Sequence, residues 1–270
     1  MTVGAVCAVA NERNQFNRTP SNRFKKSDNL WLKGNSMKFK IIFSLVLAMV
    51  SASVLASPED RVFEQTLEID GQKRVLIDGG VGTIDVRASD DQKIHIFLKV
   101  EPDDDSNSLD EEDMAAMELD VDRTSRRIKL ELDLPSGVDV DDVQEEWEVR
   151  IPQGVETELE LGVGQVDVAG ITGGLLISVG VGELNVDIPS GPVEVSVGVG
   201  DVEIIQTNAN VGTVRVDTTV GDARLRINGE RIEGSSHFGI GNRIKFEGEG
   251  QDEIEVSVKV GEVKVELDSQ

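Results

Sequence analysis

The sequence predicts an all-β chain: a single-stranded β-solenoid, a β-helix-like stack of short strands with about two per 18-residue coil, and a small insertion with a short helix. Three observations predict it. A phrase of Val-Gly, one polar residue, then alternating apolar and polar positions recurs at 163–168, 181–186 and 199–204. Its glycines Gly164, Gly182 and Gly200 are spaced 18 residues apart. Half-units with the same alternation, 175–179 and 193–197, fall between them. A repeat of this size cannot bury its apolar face alone and gains a core only by stacking on its neighbours.

Taken in order, residues 1–36 carry no periodic apolar pattern and are expected to be a start-site extension. From Met37 the chain reads Met-Lys-Phe-Lys, then an apolar run over 41–55 that ends Val54-Leu55-Ala56 before Ser57. A basic start, a short apolar core and small or aliphatic residues at −3 and −1 predict a secretory signal peptide over 37–56, cut between Ala56 and Ser57. The run is 15 residues long, short of the ~20 that cross a bilayer. Residues 57–270 then form one β-solenoid domain.

Within that domain, 74–77, 83–87 and 93–100 alternate as strands and begin the same architecture early, with a first copy of the phrase at 81–86. Residues 102–127 form an acidic insertion. In it, Ser108-Leu109-Asp110-Glu111 matches a capping box opening a short helix over 111–118. A hairpin over 118–122 and 127–133 follows.

In the central coils, subtracting 18 aligns Leu161/Val179/Val197, Val163/Val181/Val199, Val166/Leu184/Val202 and Val168/Val186/Ile204. These are expected to point inward, because a strand sends alternate side chains to opposite faces. Gln165/Glu183/Asp201 and Asp167/Asn185/Glu203 are expected outside. The glycine pairs around Val163, Val181 and Val199 are expected at a narrow corner, where glycine reaches positive φ at low cost. Looser copies at Val211-Gly212, Val220-Gly221 and Val260-Gly261 extend the stack with variable loops. Polar residues 59–68 and Asp268-Ser269-Gln270 are expected to shield its ends from edge-to-edge pairing.

Charge narrows the partners. The chain carries a formal charge of −24; with eight basic and two acidic residues in the first 56, residues 57–270 hold 19 Lys/Arg and 49 Asp/Glu, or −30. Such a charge repels nucleic acid and anionic lipid, and favours cations and basic proteins. Cys7, the single cysteine, lies in the segment expected to be removed, so no disulfide, thiolate metal site or lipidated cysteine is expected in the mature chain.

Motifs for chemistry are sparse. His95 and His237 are the two histidines, far apart in sequence, and no nucleophile elbow, HExxH or Walker loop occurs. Gly-x-Gly recurs but leads into strands, whereas a phosphate cradle needs a helix N-terminus. Sugar platforms are scarce too: after residue 56 there is no Tyr, one Trp (Trp147) and four Phe. In the nonapeptide calcium roll an Asp would stand where this chain has Leu184 and Val202, so that motif fails. Surface acids such as Glu183 and Asp201 leave weak calcium binding open. No catalytic residue, cofactor or metal site is assigned.

The run Trp147-Glu148-Val149-Arg150-Ile151-Pro152, followed by 158–161 and the Val-Gly ladder, resembles a bacterial cell-envelope family of unknown function labelled "putative adhesin". The resemblance covers roughly 62–268. It implies a β-solenoid at the cell envelope, with β-strand repeats behind a signal peptide or membrane anchor; some members are associated with envelope-stress sensing, and the family carries no catalytic residues. Here no hydrophobic stretch, sorting motif or lipobox follows the signal peptide, which implies a periplasmic or secreted protein.

The expectation is therefore a non-enzymatic envelope module, adhesin-like or a scaffold, whose partner is an envelope protein or cell-wall component. It excludes nucleic acid as partner and any integral membrane segment in the mature chain. Two alternatives stay open: a carbohydrate-active β-helix enzyme and a calcium-stiffened scaffold.

Overall fold

A computed structural model describes residues 60–103, 109–237 and 240–269. Ala56, Ser57, the expected signal peptide and Ser108 lie outside the described residues. The chain opens with β1 (Arg61–Glu68), β2 (Arg74–Ser89) and β3 (Lys93–Pro102), then α1 (Glu111–Ala116). Next come β4 (Glu118–Arg123), β5 (Arg127–Asp133), β6 (Val143–Pro152), β7 (Glu156–Ala169), β8 (Leu175–Ile188) and β9 (Val193–Gln206). The remainder is β10 (Val211–Val220), β11 (Ala223–Ile227), β12 (Glu230–Ile232), β13 (Ser235–His237), β14 (Gly241–Glu247), β15 (Asp252–Val260) and β16 (Val263–Leu267). The fold is nearly all β, and its strands join one open sheet rather than a closed barrel.

The 18-residue period is one step of a parallel ladder. β7, β8 and β9 pair in register, Leu161 with Val179 with Val197 on one arm and Val166 with Leu184 with Val202 on the other. Each repeat is a single strand of 14 residues, not two short ones. Pairing resumes directly past the corner at Val163, Val181 and Val199, since glycine lets the backbone bend without leaving the ladder. Both arms send their alternate apolar residues into one core: Leu159, Ile177 and Val195 from the first arm, and Val168, Val186 and Ile204 from the second, are buried.

β2 adds the next rung below β7, pairing through both arms. Beneath it the rung is split. β5 takes the first arm of β2 (Ile77 with Leu130) and β6 takes the second (Ile84 with Trp147). The hairpin expected near 118–133 exists as β4 with β5, and its second strand is part of the ladder. Residues 93–100 do form a strand, but β3 runs antiparallel to β6 and β1 antiparallel to β3, so this end is reversed layers rather than another repeat.

α1 starts at Glu111, as expected, but ends at Ala116 because Glu118 already opens β4, and its cap is not Ser108. Asp110 is the N-cap: its carboxylate accepts the backbone N–H of Glu112 and Asp113 at 2.9 and 3.0 Å, and Asp113 accepts the Asp110 N–H at 3.3 Å. Three acids in the first turn suit the positive end of the helix.

The far end departs from chain order. β15 pairs with β9 on one side (Val256 with Val195) and with β10 on the other (Val256 with Val216). β16 lies likewise between β9 and β11. The C-terminal strands are thus inserted between two earlier rungs. Asp268 accordingly donates its N–H to Gln206 O at 3.0 Å inside the ladder, and β12 and β14, not the C-terminal residues, pair with the last rung. Val211-Gly212 is no corner either: Val211 is buried at the start of β10, and that rung bends at Gly221. A phrase match alone does not distinguish a strand start from a bend.

Candidate interaction ridge

The corner glycines decide which way the valine between them points. Gly164, Gly182 and Gly200 hold φ of +142°, +156° and +150°. A Cβ on Gly182 would stand 1.7 Å from Gly164 O, so the rungs meet here as bare backbone. Through this bend the inward alternation skips one position: Leu161 and Val166 are both buried although five residues apart. The valine in between is turned out.

Val163, Val181 and Val199 are each 46% exposed, which corrects their expected inward placement. They continue in register to Val260 and then Val220, 44% and 42% exposed. Five valines on successive rungs form an unbroken apolar ridge about 19 Å long at ~4.8 Å per rung. Exposed Val140 and Ile240 lie toward its two ends, beside Gly80 and near Val220 respectively. Glycine columns run on both sides. Gly164/Gly182/Gly200 continues to Gly261 and Gly221, whereas Gly162/Gly180/Gly198 gives way to Lys259 and Thr219 on the last two rungs. Both troughs therefore lack side chains beside Val163, Val181 and Val199.

Beyond one trough stands an acidic row. Glu183 pairs with Asp201, whose carboxylate accepts the Glu262 N–H at 2.9 Å, and Asp222 follows on the next rung, where its carbonyl accepts the Val263 N–H. All four acids are exposed. Arg224 stands 3.7 Å from Glu262 and 3.8 Å from Asp222, while no lysine or arginine among the described residues forms an ion pair with Glu183 or Asp201. Beyond the other trough the row is neutral on the three middle rungs, Ser178, Ser196 and Ser257, and ends in Glu160 on one side and Asp217, paired with Arg243, on the other.

One end of the ridge rests on a buried carboxylate. The split rung below β2 has no corner strand, so nothing in that ladder meets the Gly80 N–H. Glu145 supplies the acceptor at 3.0 Å, and its second oxygen accepts the Trp147 indole N–H at 2.6 Å. Glu145 is 4% exposed, the one buried carboxylate among the described residues. Burial pushes its pKa above the ordinary carboxylate range; the bonds from Trp147 and Gly80 pull it back, and the Asp78 charge raises it further. The signal was in the sequence: Val143, Glu145, Trp147, Val149 and Ile151 share one strand face, with an acid in an inward position.

Among the residues singled out for chemistry, Glu183 and Asp201 share one row, and no group of three metal-ligating side chains occurs among the described residues. His95 has partners that sequence reasoning missed. Its Nε2 lies 3.1 Å from both Asp91 carboxylate oxygens and its Nδ1 3.3 Å from Thr66 Oγ1. Hydroxyl, imidazole and carboxylate stand in order, but in an open groove with the imidazole 42% and the carboxylate 49% exposed. That is a solvated cross-strand tie without the water-excluded setting that makes such a row reactive. No helix of the described residues is long and apolar enough to cross a membrane.

No protein-family model matches the chain. No curated protein matches it either. Among solved structures, it is similar to a "putative cell adhesion protein" from Clostridium sporogenes, at 15% identity and a TM-score of 0.49, covering 78% of this chain and 100% of that one. A "putative adhesin" from Bacteroides fragilis is 13% identical with a TM-score of 0.32 over 78% of this chain and 98% of its own. Another from Parabacteroides merdae is 12% identical with a TM-score of 0.22, over 77% and 96%. These solved neighbours are bacterial proteins described as adhesins or cell adhesion proteins, and the likeness transfers no residue role to this chain.

Proposed function

We propose that this chain is a non-enzymatic, adhesin-like interaction module of the bacterial envelope, and that the valine ridge is its contact face. In this reading the parallel ladder is a β-solenoid spanning residues 57–270, exported by a signal peptide over 37–56 that is cut between Ala56 and Ser57. The resemblance carried by 147–152 supports the envelope assignment. Envelope-stress sensing, if the module takes part in it, would act through the same face.

The single observation that carries the reading is the unbroken row of exposed valines. Isolated surface valines need no explanation, but contiguous apolar rows mark contact sites. Completing the burial of a half-covered valine contributes roughly 1 kcal/mol, so five give about 5 kcal/mol before association costs. That is enough to select a partner and too little to hold one without added polar contacts. Glu145 is engaged by Gly80 and Trp147, so it does not favour the polysaccharide-cleaving alternative.

The test is photo-crosslinking in cells with benzoylphenylalanine placed at Val181 and, as a control, at Glu194 on the outer face of the first arm. A discrete product from Val181 that disappears when Val163 and Val199 become Ser, and is absent from Glu194, is expected. Equal products from both positions, or none from Val181, would overturn the ridge as the contact face.

A further inference from the structure

Resting on the reading of the ridge as a contact face, we infer that its occupant is a basic amphipathic helix of a partner protein. The apolar stripe of that helix lies along the valines, and its Lys/Arg flank faces Glu183, Asp201, Glu262 and Asp222.

Three features of the ridge select this occupant. The first is length and pitch. Five valines span about 19 Å, which roughly 13 helical residues cover at 1.5 Å each, and a helical turn of 5.4 Å nearly keeps step with a ~4.8 Å rung. The second is relief. The glycine columns leave side-chain-free troughs on both sides of Val163, Val181 and Val199, so side chains of an i, i+3, i+4, i+7 stripe can seat beside these valines as ridges in grooves. Beyond them one trough is filled by Lys259 and Thr219.

The third is charge asymmetry. The acidic row runs over four successive rungs, with Gln165 on the fifth, whereas the opposite row has acids only on its end rungs, Glu160 and the Arg243-paired Asp217. Glu183 and Asp201 have no cationic partner among the described residues. The serines on the three middle rungs of the other side ask for no charge. A helix with an apolar stripe and one basic flank complements both sides together. A second copy would bring another strongly negative chain, net −24, against the first, and an anionic lipid surface would meet the same repulsion.

The probe is an 18-residue Leu–Lys peptide with its leucines on one helical stripe and lysines on one flank, titrated against the full chain by fluorescence anisotropy. Two further peptides are titrated alongside: the same composition scrambled to abolish the stripe, and a Leu–Glu version with the stripe intact. The striped Leu–Lys peptide is expected to bind, the scrambled one at least tenfold more weakly, and the Leu–Glu one not measurably. The triple variant Val163→Ser/Val181→Ser/Val199→Ser should weaken Leu–Lys binding about tenfold or more. Glu183→Gln/Asp201→Asn should weaken it about fivefold and flatten its salt dependence.

Melting curves check that each variant is folded, as expected for exposed positions. Equal affinity of the scrambled peptide, or no loss in the valine variant, would reduce the binding to bulk charge attraction and overturn the proposal. Equal binding of the Leu–Glu peptide would overturn the role of the acidic row. If the Leu–Lys peptide fails while Val181 still crosslinks specifically in cells, the partner chemistry is wrong and the contact face stands; if the Val181 crosslink is itself absent, the contact face falls.

Discussion

Replacing Gly182 by alanine tests the corner at its tightest point. The added Cβ would lie 1.7 Å from Gly164 O, 2.8 Å from its carbonyl carbon and 3.1 Å from its nitrogen, all backbone of the rung before. Relief requires the two rungs to separate by more than 1 Å at the bend. That breaks about two ladder hydrogen bonds at roughly 1 kcal/mol each. The φ of +156° adds strain of about 1–3 kcal/mol for a residue with a Cβ. Together the loss is about 4 kcal/mol. For a domain of this size each kcal/mol lowers Tm by about 2–4 °C, so Gly182→Ala should melt about 8–16 °C below the wild type. Gly154→Ala is the matched control: nothing lies within 4 Å of its added Cβ, and its Tm should stay within about 2 °C. Differential scanning calorimetry reads both. If Gly182→Ala melts within about 2 °C of the wild type, the close approach of the rungs at the corner is wrong.

Other outcomes follow from the same geometry. Because burial raises the Glu145 pKa, the folded chain holds that proton more tightly than the unfolded chain does. Stability is therefore fullest below the ordinary carboxylate value of 4.5 and falls as pH rises through the raised one. The stability difference between wild type and Glu145→Gln, followed by urea melts, should turn against the wild type across that window; a pH-independent difference would refute it. Truncation before Asp252 removes Ile254, Val256, Val258, Val263, Val265 and Leu267, all 1% exposed or less, at a cost on the order of 10 kcal/mol. Limited proteolysis should then digest 208–251 while β2–β9 persist, and a peptide of residues 251–268 added in trans should restore protection. Asp110→Ala should cost about 1 kcal/mol by removing the cap of α1, read as faster amide exchange confined to that helix.

Where the chain repeats strictly, the ladder was readable. The 18-residue spacing sets Leu161, Val179 and Val197 opposite one another, and the ladder pairs them so. Val163, Val181 and Val199 are expected inward from alternation and instead point out. The sequence nevertheless holds a trace of this: Leu161 and Val166 cannot both face inward on an unbroken two-residue alternation, so one position between them must be turned out. Glu145 left a comparable trace as an acid on an otherwise apolar face. The tie between Thr66, His95 and Asp91 left less, because it depends on the antiparallel register of β1 with β3.

Local alternation and the repeat period belong to the sequence itself, because inward and outward positions differ in hydrophobicity residue by residue. They determined an all-β chain, the rungs of 156–206 and the glycine corner. Which strand lies beside which is a different kind of fact. β15 could stack on the last rung or enter between β9 and β10 with the same valines buried, and only the three-dimensional packing chose insertion. The ridge is likewise tertiary: five valines from 163 to 260 become one surface only because the rungs bring their corners into register.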